Sequence, residues 1–315
     1  MFQGQRALLL GTNYSLTQVE VYRADANNYL VRVPIAGTQS VAEYRLQKQT
    51  TILAGWSAAS ACWHLLGLRV IEVSTSRVYT LVAQNSAWEY AGRVGLVSAD
   101  AALHEFFGSI HQSQVSTGFT IALDGVSLPT LAIGQSRLGA SLAVAQTMNT
   151  ILPSDKATVI GTTTLSHTFT VANHCDVDYT LFWNGAPACD YHTMYSAMLP
   201  VTSESGGLDT YKVGIGAATA RLYDNGEKVK GTDTDTTIWS ASSAHGYKAT
   251  LFLPSGGPVD PDDSYLRAPS YKTWVHDRPE LDKGKAYVNF VDTGAASVIA
   301  CINNTRHRTR YAVTI

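Results

Sequence analysis

Short runs in which apolar and polar residues alternate recur along the whole chain, and almost nothing between them has helical period. Residues 17–33 read Thr-Gln-Val-Glu-Val-Tyr-Arg and then Tyr-Leu-Val-Arg-Val around Asp25-Ala26-Asn27-Asn28, a hairpin pattern. Further β-branched and aromatic runs lie at 69–83, 88–94, 119–123, 141–147, 157–162 and 167–171. After Pro200 they resume at 210–214, 220–223, 236–240, 247–253, 285–290, 297–302 and 311–315, with Asp224-Asn225-Gly226 as a turn. The only helix candidate runs from Ser98 to Phe107 and closes at Gly108, too short for a parallel crossover. About fourteen to sixteen strands without a crossover predict an all-β chain: a large antiparallel β-sandwich (jelly-roll, concanavalin-like) with little helix. The expected division is an N-terminal arm and hairpin over 1–50 and a β-sandwich domain over 51–315.

Charge sharpens this. Only 15% of the 315 residues are charged, against roughly 25% in an ordinary globular chain, and 45% are hydrophobic. That excludes disorder, coiled coil and collagen. A net charge of −2 provides no basic field for nucleic acid, so no nucleic-acid partner is expected. With 16 Tyr, 6 Trp and 25 Gly, the surface is one of hydroxyls and aromatics, as in virion proteins, lectins and glycan-handling enzymes. The start, 1–11, has an apolar run of only four residues, too short for a secretory signal, and none is expected. The uncharged stretch from Ile52 to Leu68 contains Ser57, Ser60 and His64, and reads as buried strands rather than membrane insertion.

The four cysteines, Cys62, Cys175, Cys189 and Cys301, form no Cys-x-x-Cys pair. Residues 178–183 read as a strand leading into Asn184-Gly185, a strong hairpin signal. In that hairpin Thr180 faces Cys189 and Cys175 faces Met194, so a disulfide or shared metal between Cys175 and Cys189 would need a longer loop or a bulge. Buried free thiols are the plainer reading, and neither metal nor cofactor is expected.

Six stretches resemble a β-sandwich module of tailed-bacteriophage tail fibres and receptor-binding virion proteins. They are Gln84-Asn85-Ser86-Ala87-Trp88-Glu89-Tyr90, Gly108-Ser109-Ile110-His111-Gln112, the run from Phe119 to Val126, Ser166-His167-Thr168-Phe169, Thr180-Leu181-Phe182-Trp183, and the run from Tyr195 to Pro200. The resemblance implies a non-enzymatic host-attachment protein of the virion, assembled in the host cytoplasm. It would be a homotrimer that contacts other virion proteins and a bacterial surface polysaccharide. A second resemblance, to jelly-roll alginate lyases, rests on Ser109-Ile110-His111 and Tyr211-Lys212-Val213-Gly214, with Arg93 as a neighbouring cation. It implies a polysaccharide lyase as the alternative: Arg93 neutralising a uronate carboxylate, His111 removing the C5 proton and Tyr211 protonating the leaving oxygen.

Other chemistry has less support. No Gly-x-Ser-x-Gly elbow is present, and no spacing pairs Glu89, Glu105, Asp190 or Asp263 as glycosidase carboxylates. The Pro-rich stretch from Ser255 to Arg278 is too long for a simple connector and reads as a binding loop. Its Tyr265, Arg267, Tyr271 and Trp274 are candidate glycan contacts, as are Tyr191 and His192. The basic tail Arg306-His307-Arg308-Thr309-Arg310 reads as a solvated final strand, with phosphate or an acidic subunit as the alternative contact.

Overall fold

The structure, a computed structural model, describes residues 14–315 except 58, 129, 203–206, 214–219, 222–227, 231–236, 253–272, 279–282, 293–296 and 303. The described residues form β1 (Val19–Asp25), β2 (Asn28–Pro34), β3 (Ser40–Lys48), β4 (Trp63–Glu72), β5 (Arg77–Ala87), β6 (Ala91–Leu96), β7 (Glu105–Gly108) and β8 (Gln114–Leu123). Next come β9 (Val126–Ser127), β10 (Ser136–Gly139), β11 (Ser141–Ile151), β12 (Val159–Thr170), β13 (His174–Trp183), β14 (Cys189–Thr202), β15 (Thr210–Val213) and β16 (Ala220–Arg221). The chain ends with β17 (Lys228–Lys230), β18 (Thr237–Ala241), β19 (Lys248–Phe252), β20 (Thr273–Arg278), β21 (Lys283–Asp292), β22 (Ile299–Ala300) and β23 (Thr305–Thr314). All pairings among the described residues are antiparallel, and the expected all-β sandwich is what forms.

Three sheets share the core. A six-stranded sheet runs β10-β1-β2-β3-β4-β5, and a ten-stranded one runs β16-β15-β18-β19-β23-β13-β12-β11-β8-β9. A seven-stranded sheet runs β17-β20-β21-β14-β6-β7, with β22 on β14. One continuous apolar cluster draws on all three. Its centre is aromatic: Tyr44 of the first sheet meets Phe169 at 5.3 Å and Trp88 at 5.8 Å, and Trp88 meets Tyr311 at 4.6 Å. The expected boundary at residue 50 falls between β3 and β4, which pair from Ser40 with Glu72 to Lys48 with Trp63. The N-terminal hairpin is therefore part of the six-stranded sheet rather than an arm, because its inward residues Val19, Val21, Val31 and Val33 belong to the common core.

Two further expectations are corrected. The segment from Ser98 to Phe107 is not a helix: Asp100 caps a single 3-10 turn at Ala101–Leu103, and the chain then enters β7. Phe107 is driven into the core while Phe106 stays on the other face, an alternation only a strand provides. Nor does Asn184-Gly185 close a hairpin. Both edges of β13 are already occupied by β12 and β23, so the following strand, β14, joins a different sheet. Asn184 anchors the crossover on β12 through its N–H to Ile160 (2.9 Å) and its side-chain amide to Val159 (3.0 Å). Cys175 and Cys189 thus lie on different sheets, and all four cysteines are buried free thiols.

Charges are largely satisfied within the fold. Buried Arg32 bonds Glu20 and Glu43, each at 2.9 Å. The basic tail becomes β23, where Arg306 and Arg308 pair with Asp178 and Arg310 pairs with Asp176, so it is neither free for phosphate nor simply solvated. No helix among the described residues is long and apolar enough to cross a membrane.

Three core histidines set an acid limit. Burial depresses His64 to about 4 and His167 and His307 to about 3. In the unfolded chain they regain a value near 6.5, so below that pH the unfolded state binds protons the folded state refuses. Stability then falls as pH drops from 6.5 toward 3–4, by on the order of 2 kcal/mol per histidine at pH 5. Urea titrations should show a clearly lower midpoint at pH 5 than at pH 7; equal midpoints would contradict this burial.

Candidate functional site

The outer face of the seven-stranded sheet is built by alternation along β6 and β7. Val94 and Phe107 point to the core. Arg93 is directly opposite Phe106 in register, and its guanidinium carbon lies 4.3 Å from the Phe106 ring centre, a cation–π contact. The close approach of these strands depends on Gly92, where a Cβ would stand 2.5 Å from Phe107 Cε1 and 2.5 Å from the Thr193 carbonyl oxygen.

After β7 a tight turn brings His111 back onto Phe106. The His111 N–H donates to the Gly108 carbonyl at 3.1 Å, and the two rings stack at 5.3 Å and 15°. Gly108 has φ +145, and a side chain there would meet the Tyr90 carbonyl oxygen at 2.7 Å, so only glycine makes this turn. Gln112 takes a left-handed φ of 62, and its buried side chain bonds the backbone of Thr51 and Leu53. Ser113 Oγ accepts the Gly108 N–H at 2.7 Å. The turn that aims His111 is therefore held on several sides.

Aromatic and charged neighbours extend the face. Tyr195 on β14 lies 6.4 Å from Phe106 and 4.9 Å from Tyr287 on β21. Between the core residues Trp88 and Tyr90, Glu89 turns outward and accepts from Lys285 Nζ at 2.8 Å. Burial lowers the His111 pKa, with Glu89 opposing and Lys285 reinforcing the shift, so His111 is neutral at pH 7. At the other end of β6, His104 packs over Gly95 and pairs with Asp190 at 3.1 Å, and stacks on His192 at 5.5 Å. Burial raises the Asp190 pKa against the pull of His104 and His192.

The expected site residues separate. Arg93 and His111 come together on Phe106. Tyr211 stands on β15 of the ten-stranded sheet, opposite Ser240 in register. Tyr191 is 2% exposed and stacks on Trp183 at 5.8 Å, so its register points it into the core rather than toward a glycan. His192 is 6% exposed and lies within the His104–Asp190 cluster instead of on an open surface. Trp274 occupies the position on β20 opposite Tyr287. Tyr265, Arg267, Tyr271 and the turn at Asp224-Asn225-Gly226 lie outside the described residues.

Phe106, Tyr195 and Lys285 are contributors that sequence reasoning missed. The signal for Phe106 was the Phe106-Phe107 pair ahead of Gly108, which suits a strand with two buried faces. Glu89 and Asp190 are separated by the distance from Glu89 to Gly95, the residue opposite Asp190; over six extended residues that is about 20 Å. Glycosidase carboxylates stand roughly 5–10 Å apart, so these two do not form such a pair. Among the described residues, no group of three His, Cys, Asp or Glu side chains could hold a metal ion.

No family model and no curated protein sequence matches the chain. Among solved structures, it is similar to a family GH36 α-galactosidase from Geobacillus stearothermophilus at 9% identity and TM-score 0.49, covering 93% of this chain and 41% of that one. The chain thus spans about two fifths of that galactosidase's length. A galactose mutarotase-like protein from Lactobacillus casei aligns at 12% identity and TM-score 0.37, covering 90% and 99% of the two chains. A heparan sulfate lyase from Pedobacter heparinus aligns at 10% and 0.35, covering 96% and 37%.

Gly92→Ala should cost about 1–3 kcal/mol through overpacking against Phe107 and the Thr193 carbonyl. Urea unfolding measures it, and a variant as stable as wild type would show that the β6–β7 contact is looser than described.

Proposed function

We propose that this chain is a glycan-binding β-sandwich protein whose ligand lies on the outer face of the seven-stranded sheet. The observation that carries this reading is the convergence of Phe106, Tyr195, Arg93 and His111 on one partly buried patch. Aromatic rings offer flat apolar faces to the C–H side of a sugar, while a few fixed polar groups select its hydroxyls and substituents. Arg93 is set by Phe106, His111 by the Gly108 turn and Glu89 by Lys285, so little ordering remains to be done on binding.

In its finer form the proposal is a non-enzymatic attachment protein of the tail-fibre type, a homotrimer in the virion that meets a bacterial surface polysaccharide. Its support is that three of the six stretches resembling tail-fibre modules supply Glu89, His111 and Tyr195. Binding is the reading taken forward, because it needs only the groups that meet on Phe106.

On a bacterial glycan array the wild-type protein should bind, and Phe106→Ala should weaken that binding at least tenfold with an unchanged melting temperature. Light scattering should give three times the chain mass. An array without signal would overturn the glycan reading, and a monomer would overturn the trimeric attachment form alone.

A further inference from the structure

Arg93 differs from the other partly buried arginines of known burial on these sheets. Arg32, Arg69, Arg306, Arg308 and Arg310 each meet a carboxylate, Arg23 donates to the Leu131 carbonyl, and Arg45 donates to Asn28 Oδ1. Among the described residues, no carboxylate lies within ion-pair distance of Arg93 and no acceptor takes a hydrogen bond from it; its contact is the Phe106 ring. Two carboxylates of this sheet are already engaged, Glu89 by Lys285 and Asp190 by His104.

A guanidinium drawn partly out of water costs free energy unless acceptors replace its hydration. The Phe106 ring offsets some of that cost against the flat face of the group. It does nothing for the N–H donors, which lie in the guanidinium plane and form a fork suited to two oxygens of one anion. With Glu89 and Lys285 cancelling and His111 neutral, no carboxylate among the described residues of the patch compensates the Arg93 charge.

We propose that Arg93 is an anion subsite that takes a carboxylate or sulfate ester on the sugar lying against Phe106, which makes the ligand an acidic glycan. The inference rests on the glycan-binding reading above and narrows it to a substrate class. His111 and Tyr195, on the same ring, would contact neighbouring hydroxyls of that sugar.

Titration calorimetry of the full chain with polygalacturonate, dextran sulfate and neutral dextran and galactan tests this. At least one acidic polymer should bind tenfold or more tighter than the neutral ones, and which of the two does so identifies carboxylate or sulfate as the anion. Arg93→Gln should abolish that preference, and Arg93→Lys, which keeps the charge and loses the fork, should retain part of it. Melting temperatures equal to wild type show that each variant is folded; if Arg93→Gln is not, Arg93→Lys and the salt dependence of wild-type binding decide instead. An acidic-polymer preference left unchanged in Arg93→Gln, or in Arg93→Lys where Arg93→Gln does not fold, overturns the anion subsite. Phe106-dependent binding of neutral polymers alone also overturns it, while leaving the glycan reading intact. No binding to any polymer overturns both.

Discussion

Phe107 packed against the bare backbone of Gly92 is the contact on which the functional face depends. It brings β7 against β6 at a separation no other residue at position 92 permits, and it anchors β7 in the shared core. Because strand side chains alternate, burying Phe107 commits Phe106 to the opposite face. Arg93 and His111 then find one ring to rest on, from a neighbouring strand and from the following turn. The patch is thus a by-product of core packing.

The low charge content has a matching structural meaning. Several of the charges are spent in pairs: Arg32 between Glu20 and Glu43, the three arginines of β23 along Asp176 and Asp178, Lys285 on Glu89. Such partners hold the side chains in place and leave little net field outside the protein. Against this background Arg93 stands out among the described residues as a partly buried arginine to which no carbonyl, amide or carboxylate oxygen is bonded.

Much of the fold was legible in the residues. The hairpin of β1 and β2, the alternating runs of β11, β12 and β13, and the absence of crossover helices all follow from two-residue periodicity. Two local signals misled. Ser98 to Phe107 has helical caps and propensities, but the core accepted Phe107 only from a strand. Asn184-Gly185 has hairpin chemistry, but β13 was already paired on both edges, and a turn cannot create a free edge. For the site, Arg93 and His111 were identifiable as candidates, while Tyr191 looked equally suitable and lies in the core.

By itself the sequence determined the class of fold, the antiparallel pairing and which residue types were available for chemistry, because alternation and turn chemistry are local properties. Tertiary structure decided which sheet each strand joined and hence which face each polar or aromatic residue occupies. That choice depends on which strand edges and core volumes remain open once distant segments have packed. Residues 89, 93, 106, 111, 195 and 285 therefore meet on one surface although no short stretch of sequence contains them together.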